Sequence, residues 1–266
     1  MDYLSVPKIY LVSKTSVDWT QIADMLADEQ LPPVPDSIRS GQDEYSAVVE
    51  IAARLCYMSF GRGRRDIVDF IDNLLSKGDG SVFEHVNYGF VFTGVSRSLT
   101  HELVRHRAGF AYSQRSQRFV DESASPFVLP PALTDDKEGS EDTQKILKSA
   151  LETSASAYAE LVEALENNMP EEIFSHPRDR RKAIRQAARA VLPNATETKI
   201  FVTGNVRSWR HFIEMRGAAY ADWEIRRLAL MVLNLLECEA PLLFGDFTVE
   251  DLPDGTQIAT PKYSKV

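Results

Sequence analysis

An α+β fold, a small and mainly antiparallel sheet packed with long helices, follows from three features of the chain. Helical spacing of apolar residues dominates. A few short runs rich in β-branched and aromatic residues lie between the helices. Proline, glycine and capping residues punctuate both kinds of segment. At 266 residues the chain suffices for one large domain or two small ones, and it is read as a single domain over 1–266.

The elements follow in order. Leu31 to Gln42 is a loop by its prolines and polar residues. From Glu44 to Tyr57 the residues Ala47, Val48, Ile51, Ala52, Leu55 and Cys56 keep helical spacing. Asp66 to Lys77 is a second helix, with Ile67, Phe70, Ile71, Leu74 and Leu75 on one face and Gly78 as its stop. Tyr88 to Val95 reads as a strand. A helix is expected from about Ser98 to His106, and a strand from Phe119 onward. The Pro-containing, acidic loop from Pro126 to Asp142 comes next. Asp142 to Asn167 and Arg178 to Leu192 read as amphipathic helices, the second stopped by Pro193. Glu197 to Thr203 alternates as a short strand, Asn205 caps a helix from Val206 to Arg216, and Ala221 to Cys238 forms a last apolar helix. That last helix suits a subunit interface and equally a buried core.

Composition sets the boundaries on function. With 44% hydrophobic and 26% charged residues the chain reads as an ordinary globular protein. It has no apolar run of about 18 residues and no secretory leader, so no membrane association and a cytoplasmic location are expected. The two cysteines, Cys56 and Cys238, are expected as reduced core thiols. A net charge of −9 argues against a nucleic-acid partner, which would need a broad basic face. The basic residues are mostly arginines, and they cluster. Arg97, Arg105, Arg107, Arg115 and Arg118 form one group, Arg178 to Arg189 a second, and Arg207, Arg210 and Arg216 a third. The planar fork of arginine suits phosphate and carboxylate, so pockets for small anions are expected. Arg178 to Arg185 is read as a solvated face or a subunit contact.

The most informative segment runs from His101 to Arg118. Glu102, Arg105 and His106 lie at helical neighbour spacing. The chain then breaks at Gly109 and offers Ser113, Gln114, Arg115, Ser116 and Arg118 together with backbone donors. Such a set suits a phosphate and a base edge. It equally suits a solvated arginine-rich helix end, which the helix dipole favours. No metal site is expected. His101 and His106 are five residues apart, which turns the second about 140° from the first, where a two-histidine zinc helix needs a spacing of four.

These residues closely resemble the signature of the flavin-dependent thymidylate synthases: Arg-His-Arg, a spacer, Ser, one residue, Arg. The likeness continues in Gly80 to His85, in Ala188 to Asn194, in Gly204 to Phe212, in Met215-Arg216 and in Trp223 to Ile225, in consistent order from about residue 45 to 240. Three departures stand out. The spacer between Arg107 and Ser116 holds eight residues where the family has seven, and the extra one is expected near Ala108-Gly109. Tyr220 stands where many members have His, and Asp79 where some have a flavin-side His.

The resemblance implies reductive methylation of dUMP to dTMP. FAD would carry the hydride, NADPH would reduce it, and 5,10-methylenetetrahydrofolate would supply the carbon. It implies that Arg105, His106 and Arg107, with Ser81, Gln114, Asn205, Arg207 and His211, bind FAD. It implies that Glu102, Leu103, Val104, Arg105, Gln114, Arg115, Ser116, Gln117, Arg118, Arg189 and Arg216 hold dUMP. Arg216 is the expected catalytic residue, a guanidinium that stabilises charge developing on the uracil ring. A homotetramer with shared active sites is implied as well. Neither cysteine offers a candidate nucleophile. Two rival readings stay open: a nucleotide-binding protein without catalysis, and a flavoenzyme acting on another pyrimidine.

Overall fold

The computed structural model describes residues 1–33, 44–63, 66–134 and 140–266. Most of the expected loop from Leu31 to Gln42, and the middle of the one from Pro126 to Asp142, lie outside the described residues. In chain order the strands are β1 (Tyr3–Leu4), β2 (Lys8–Lys14), β3 (Asn87–Ser96), β4 (Phe110–Gln114), β5 (Phe127–Val128), β6 (Glu197–Asn205), β7 (Phe247–Asp251) and β8 (Gln257–Pro261). The helices are α1 (Trp19–Asp28), α2 (Glu44–Tyr57), α3 (Ile67–Lys77), α4 (Arg97–Leu103), α5 (Ser140–Asn168), α6 (Pro177–Ala188), α7 (Val206–Arg216), α8 (Trp223–Glu239) and α9 (Pro241–Phe244). A 3₁₀ turn covers Gly80–His85. This is the expected α+β class: helices with small sheets, of which the four-stranded one has the order β2-β3-β6-β4. The Arg115 N–H donates to the Lys199 carbonyl and the Asn205 N–H to that of Gly109, so β4 runs antiparallel to β6.

The chain divides into two compact units, Met1–Lys8 with Phe92–Arg105 and Tyr112–Phe201, and Ile9–Val91 with His106–Ala111 and Val202–Val266. In the first, β1 pairs in parallel with β5, Tyr3 opposite Phe127 and Leu4 opposite Val128. Phe127, Leu129 and Leu151 form a core there, flanked by Tyr3, Leu147, Ala155 and Ala195. Helix α6 packs on α5. Helix α4 starts where Ser96 turns its hydroxyl to accept from the Leu99 N–H.

In the second unit α7 is the central element. Its cap is the expected one: the Asn205 side chain accepts from the Ser208 N–H. Trp209, Phe212 and Ile213 are fully buried, and the Trp209 ring meets Phe90, Phe110 and Phe212 edge to face. Helix α8 packs on α7 and buries Ile225, Leu228, Ala229, Val232, Leu233 and Leu236 completely. Its apolar face is therefore core, not the subunit interface that the sequence also allowed. The β7–β8 hairpin, paired antiparallel from Phe247↔Pro261 to Asp251↔Gln257, closes the unit.

Several expectations need correction. The helix expected to reach His106 ends at Leu103, so Arg105 and His106 do not share a helical face with Glu102. The strand placed from Phe119 onward lies earlier, at Phe110–Gln114; residues 117–126 form turns and loop. The pull toward strand at Phe119-Val120 comes from two apolar side chains that are in fact exposed. Helix α6 ends at Ala188, and Arg189–Val191 form a 3₁₀ turn before Pro193. The cysteines are not core thiols: Cys56 and Cys238 are both exposed, on the solvent side of α2 and α8.

Candidate functional site

In the second unit the motif residues gather around α7. Arg216 closes the helix, and its Nε–H donates to His106 Nε2 at 2.8 Å. An acceptor at Nε2 requires a neutral imidazole with its proton on Nδ1. The surroundings enforce that state: burial, then the Arg216 charge, then His211, push the His106 pKa from 6.5 down to about 4. The His106 ring meets Phe212 at 5.4 Å and His211 at 5.9 Å, centroid to centroid.

The turn that brings His106 there depends on one glycine. Gly109 has a φ of 71°, which side-chain-bearing residues rarely adopt. A Cβ on it would sit 2.1 Å from Ser208 Oγ and 2.7 Å from Asn205 Nδ2. The Ser208 hydroxyl donates to the Ala108 carbonyl at 3.0 Å, fixing the turn to the start of α7. The eight-residue spacer thus begins in a tight, pinned turn at Ala108-Gly109 before β4 starts.

The other flavin candidates of this unit, Ser81, Arg107, Arg207 and His211, are exposed. Arg207 is directed by Glu84, which accepts from its Nη1 at 2.7 Å. A hydroxyl, an imidazole and two guanidinium groups on the surface form a donor set that suits a phosphate-bearing cofactor. At Gly109 the backbone closes tightly on Asn205 and Ser208.

In the first unit the candidates fall into two classes. Some have their polar groups engaged by the fold. Gln114 donates from Nε2 to Thr100 Oγ1 at 2.9 Å and to Thr198 Oγ1 at 3.4 Å. Arg115 donates from Nη2 to Glu122 at 2.9 Å, to Ser125 Oγ at 3.2 Å and to the Glu197 carbonyl at 2.7 Å. Leu103 is fully buried, and its carbonyl accepts from the Tyr112 hydroxyl at 3.0 Å. Gln117 is buried as well.

Others offer donors. Arg105 is exposed, while Glu102, Val104, Ser116, Arg118 and Arg189 are half-buried. Ser116 Oγ accepts from the Arg118 N–H at 3.3 Å. Arg118 Nε is buried with no partner among the described residues, a donor that fits an anion. Sequence reasoning counted Arg97 in a cluster but left it out of the site. Burial lowers its pKa, opposed by Glu122 and assisted by Arg189 and Arg115, so it shares their electrostatic neighbourhood. It also missed Glu122, which is 4% exposed; burial raises its pKa, with Ser125 and Arg115 acting against. No local spacing signals such a partner.

Two further concavities lie elsewhere. An apolar cavity of about 230 Å³ is lined by Trp19, Ile22, Leu26 and Leu31 among others, and none of the candidate residues lines it. A shallow polar one lies on α6 at Asp179 and Lys182. No described helix is long and apolar enough to cross a membrane.

Comparison with known proteins adds an independent finding. Residues 40–242 match the family model described as thymidylate synthase complementing protein. The flavin-dependent thymidylate synthase of Mycobacterium avium is 44% identical over 256 residues, which cover 95% of this chain and 94% of that protein. The protein of the same name from Mycobacterium tuberculosis H37Rv is 44% identical over 259 residues, again 95% and 94%. That of Mycobacteroides abscessus is 48% identical over 219 residues, 80% of this chain and 84% of its own.

Proposed function

Because the chain belongs to the thymidylate synthase complementing protein family, whose relatives are flavin-dependent thymidylate synthases, we propose that it makes dTMP from dUMP by reductive methylation. In this reading FAD, reduced by NADPH, supplies the hydride and 5,10-methylenetetrahydrofolate supplies the carbon. The chain acts as one synthase domain, as a homotetramer with shared active sites.

The observation that carries the reading is the Arg216–His106 hydrogen bond. It ties the residue assigned to charge stabilisation to the centre of the cofactor motif, two positions 110 residues apart in sequence. Arg216 stabilises negative charge developing on the uracil ring, and a guanidinium held in place by His106 does so without reorganising. His106 stays neutral, so it accepts from Arg216 instead of repelling it. Ser81, Arg105, Arg107, Gln114, Asn205, Arg207 and His211 bind FAD with His106. Of these, Arg107 and Arg207 suit its phosphates.

Glu102, Leu103, Val104, Arg105, Gln114, Arg115, Ser116, Gln117, Arg118 and Arg189 hold dUMP, with Arg216 at the ring. The unpartnered Arg118 Nε supports a phosphate at that point. Leu103, Gln114 and Arg115 are tied into the fold, so they shape the nucleotide pocket more than they supply spare donors.

Flavin content tests the proposal. The purified protein is expected to release FAD on denaturation, or to take it up when FAD is added. Protein that does neither overturns the flavin chemistry.

A further inference from the structure

The chain after the β7–β8 hairpin makes contacts that the proposed chemistry does not use. The Tyr263 hydroxyl donates to Asp72 at 2.7 Å, and its N–H donates to Asp246 at 3.2 Å. Arg210, 3% exposed and paired with Asp246, donates to the Tyr263 carbonyl at 3.2 Å. Ser264 Oγ and the Lys265 N–H donate to the two carboxylate oxygens of Glu214, the latter at 3.1 Å. Glu214 lies on α7 seven residues after Arg207, two turns along and on the same side. Lys265 is held at a φ of 58°, a conformation costly for a residue with a side chain. That bend delivers Val266, 6% exposed, to Gly80.

Two groups converge at Gly80. A Cβ there would lie 2.8 Å from the backbone carbonyl carbon of Val266 and 2.8 Å from Arg207 Nε. Only glycine leaves room for both. The outer end of Arg207 is held by Glu84. With 45% of its side chain exposed, Arg207 would otherwise lose much rotamer freedom on meeting a ligand.

We propose that Tyr263–Val266 is a strap that positions Arg207 for a phosphate-bearing cofactor. The strap anchors on Glu214, Asp72 and Asp246, and through Val266 it walls the space at Gly80 so that the guanidinium stays against Gly80 and Glu84. The proposal rests on reading Arg207 and Ser81 as FAD residues.

The test compares FAD and dUMP affinities of the intact protein with those of Glu214→Ala, Gly80→Ala and a deletion of 262–266. Each change is expected to weaken FAD about tenfold and to leave dUMP affinity within roughly twofold. Glu214→Ala made in the deletion background should weaken FAD less than about threefold further, because Glu214 acts on Arg207 only through the strap that the deletion removes. A merely structural strap would instead lower both affinities together. Glu214→Ala reports even if the deletion fails to fold. Unchanged FAD affinity in both Glu214→Ala and Gly80→Ala overturns the strap, as does full multiplication of the two effects in the double variant. Intact protein that takes up no FAD overturns the flavin reading and this assignment with it, whereas intact FAD binding that strap variants retain overturns the strap alone.

Discussion

His106 and Arg216 show how a single contact constrains chemistry. A protonated imidazole cannot accept the Arg216 Nε–H, and the neighbouring guanidinium opposes protonation. The His106 pKa accordingly falls from 6.5 to about 4, with burial as the largest cause. In the unfolded chain the imidazole binds its proton more tightly than in the folded one. The contribution of His106 to stability is therefore complete above pH 6.5 and is lost as the pH falls toward 4. An NMR titration is expected to place the His106 midpoint near 4, and the Arg216→Ala variant to move it upward, since one cationic neighbour is gone. A midpoint at the ordinary histidine value in the intact protein would refute the assigned pair. Arg216→Ala should also lower dTMP turnover about 10²–10³-fold while FAD stays bound. Turnover near that of the intact protein removes Arg216 from its role. At Gly109 the demand is steric: the Cβ of Gly109→Ala would meet Ser208 Oγ at 2.1 Å. A loss of about 1–3 kcal/mol in a denaturant titration is expected.

At the level of elements, the Arg115 network shows which parts of the site are also fold. Arg115 bridges Glu122 and Glu197, whose side chains are 1% and 3% exposed. Glu122→Ala leaves a largely buried guanidinium short of its partner and should cost about 3 kcal/mol by chemical denaturation. A loss under about 1 kcal/mol would show that Glu197 and Ser125 suffice. The sequence made the helices legible wherever apolar spacing and a cap agreed. Asn205 starts α7 and Gly78 stops α3 as their chemistry predicts. It misled where tertiary pairing decides. β4 is a five-residue strand, Phe110–Gln114, whose partner β6 lies about 90 residues on, and its polar Ser113 and Gln114 read locally as loop. Cys56 and Cys238 sit in helices of mixed faces, and local hydropathy placed them on the wrong side. The arginine clusters were visible, whereas two of their partners were not: Glu84 lies 123 residues from Arg207, and Glu122, seven residues past Arg115, sits in a loop with no periodicity to mark it.

For the molecule as a whole, family order carried more than any single motif. Arg105 to Arg118 alone suits a solvated helix end as well as an anion site. Arg189, Asn205 to Arg207 and Arg216, in sequence order behind it, made the likeness specific, and relatives 44% identical over 95% of the chain place it in the family. The two units divide the candidates: Arg105, Arg115, Ser116, Arg118 and Arg189 belong to one, and Ser81, His106, Arg107, Arg207, His211 and Arg216 to the other. The most direct test of the account supplies the purified protein with dUMP, 5,10-methylenetetrahydrofolate, FAD and NADPH and measures dTMP. Formation of dTMP that requires dUMP, the folate, NADPH and FAD, whether the FAD is carried by the protein or added, is the predicted result. NADPH oxidation by the flavin-loaded protein with no dTMP formed would contradict the account and point to a flavoenzyme acting on another pyrimidine.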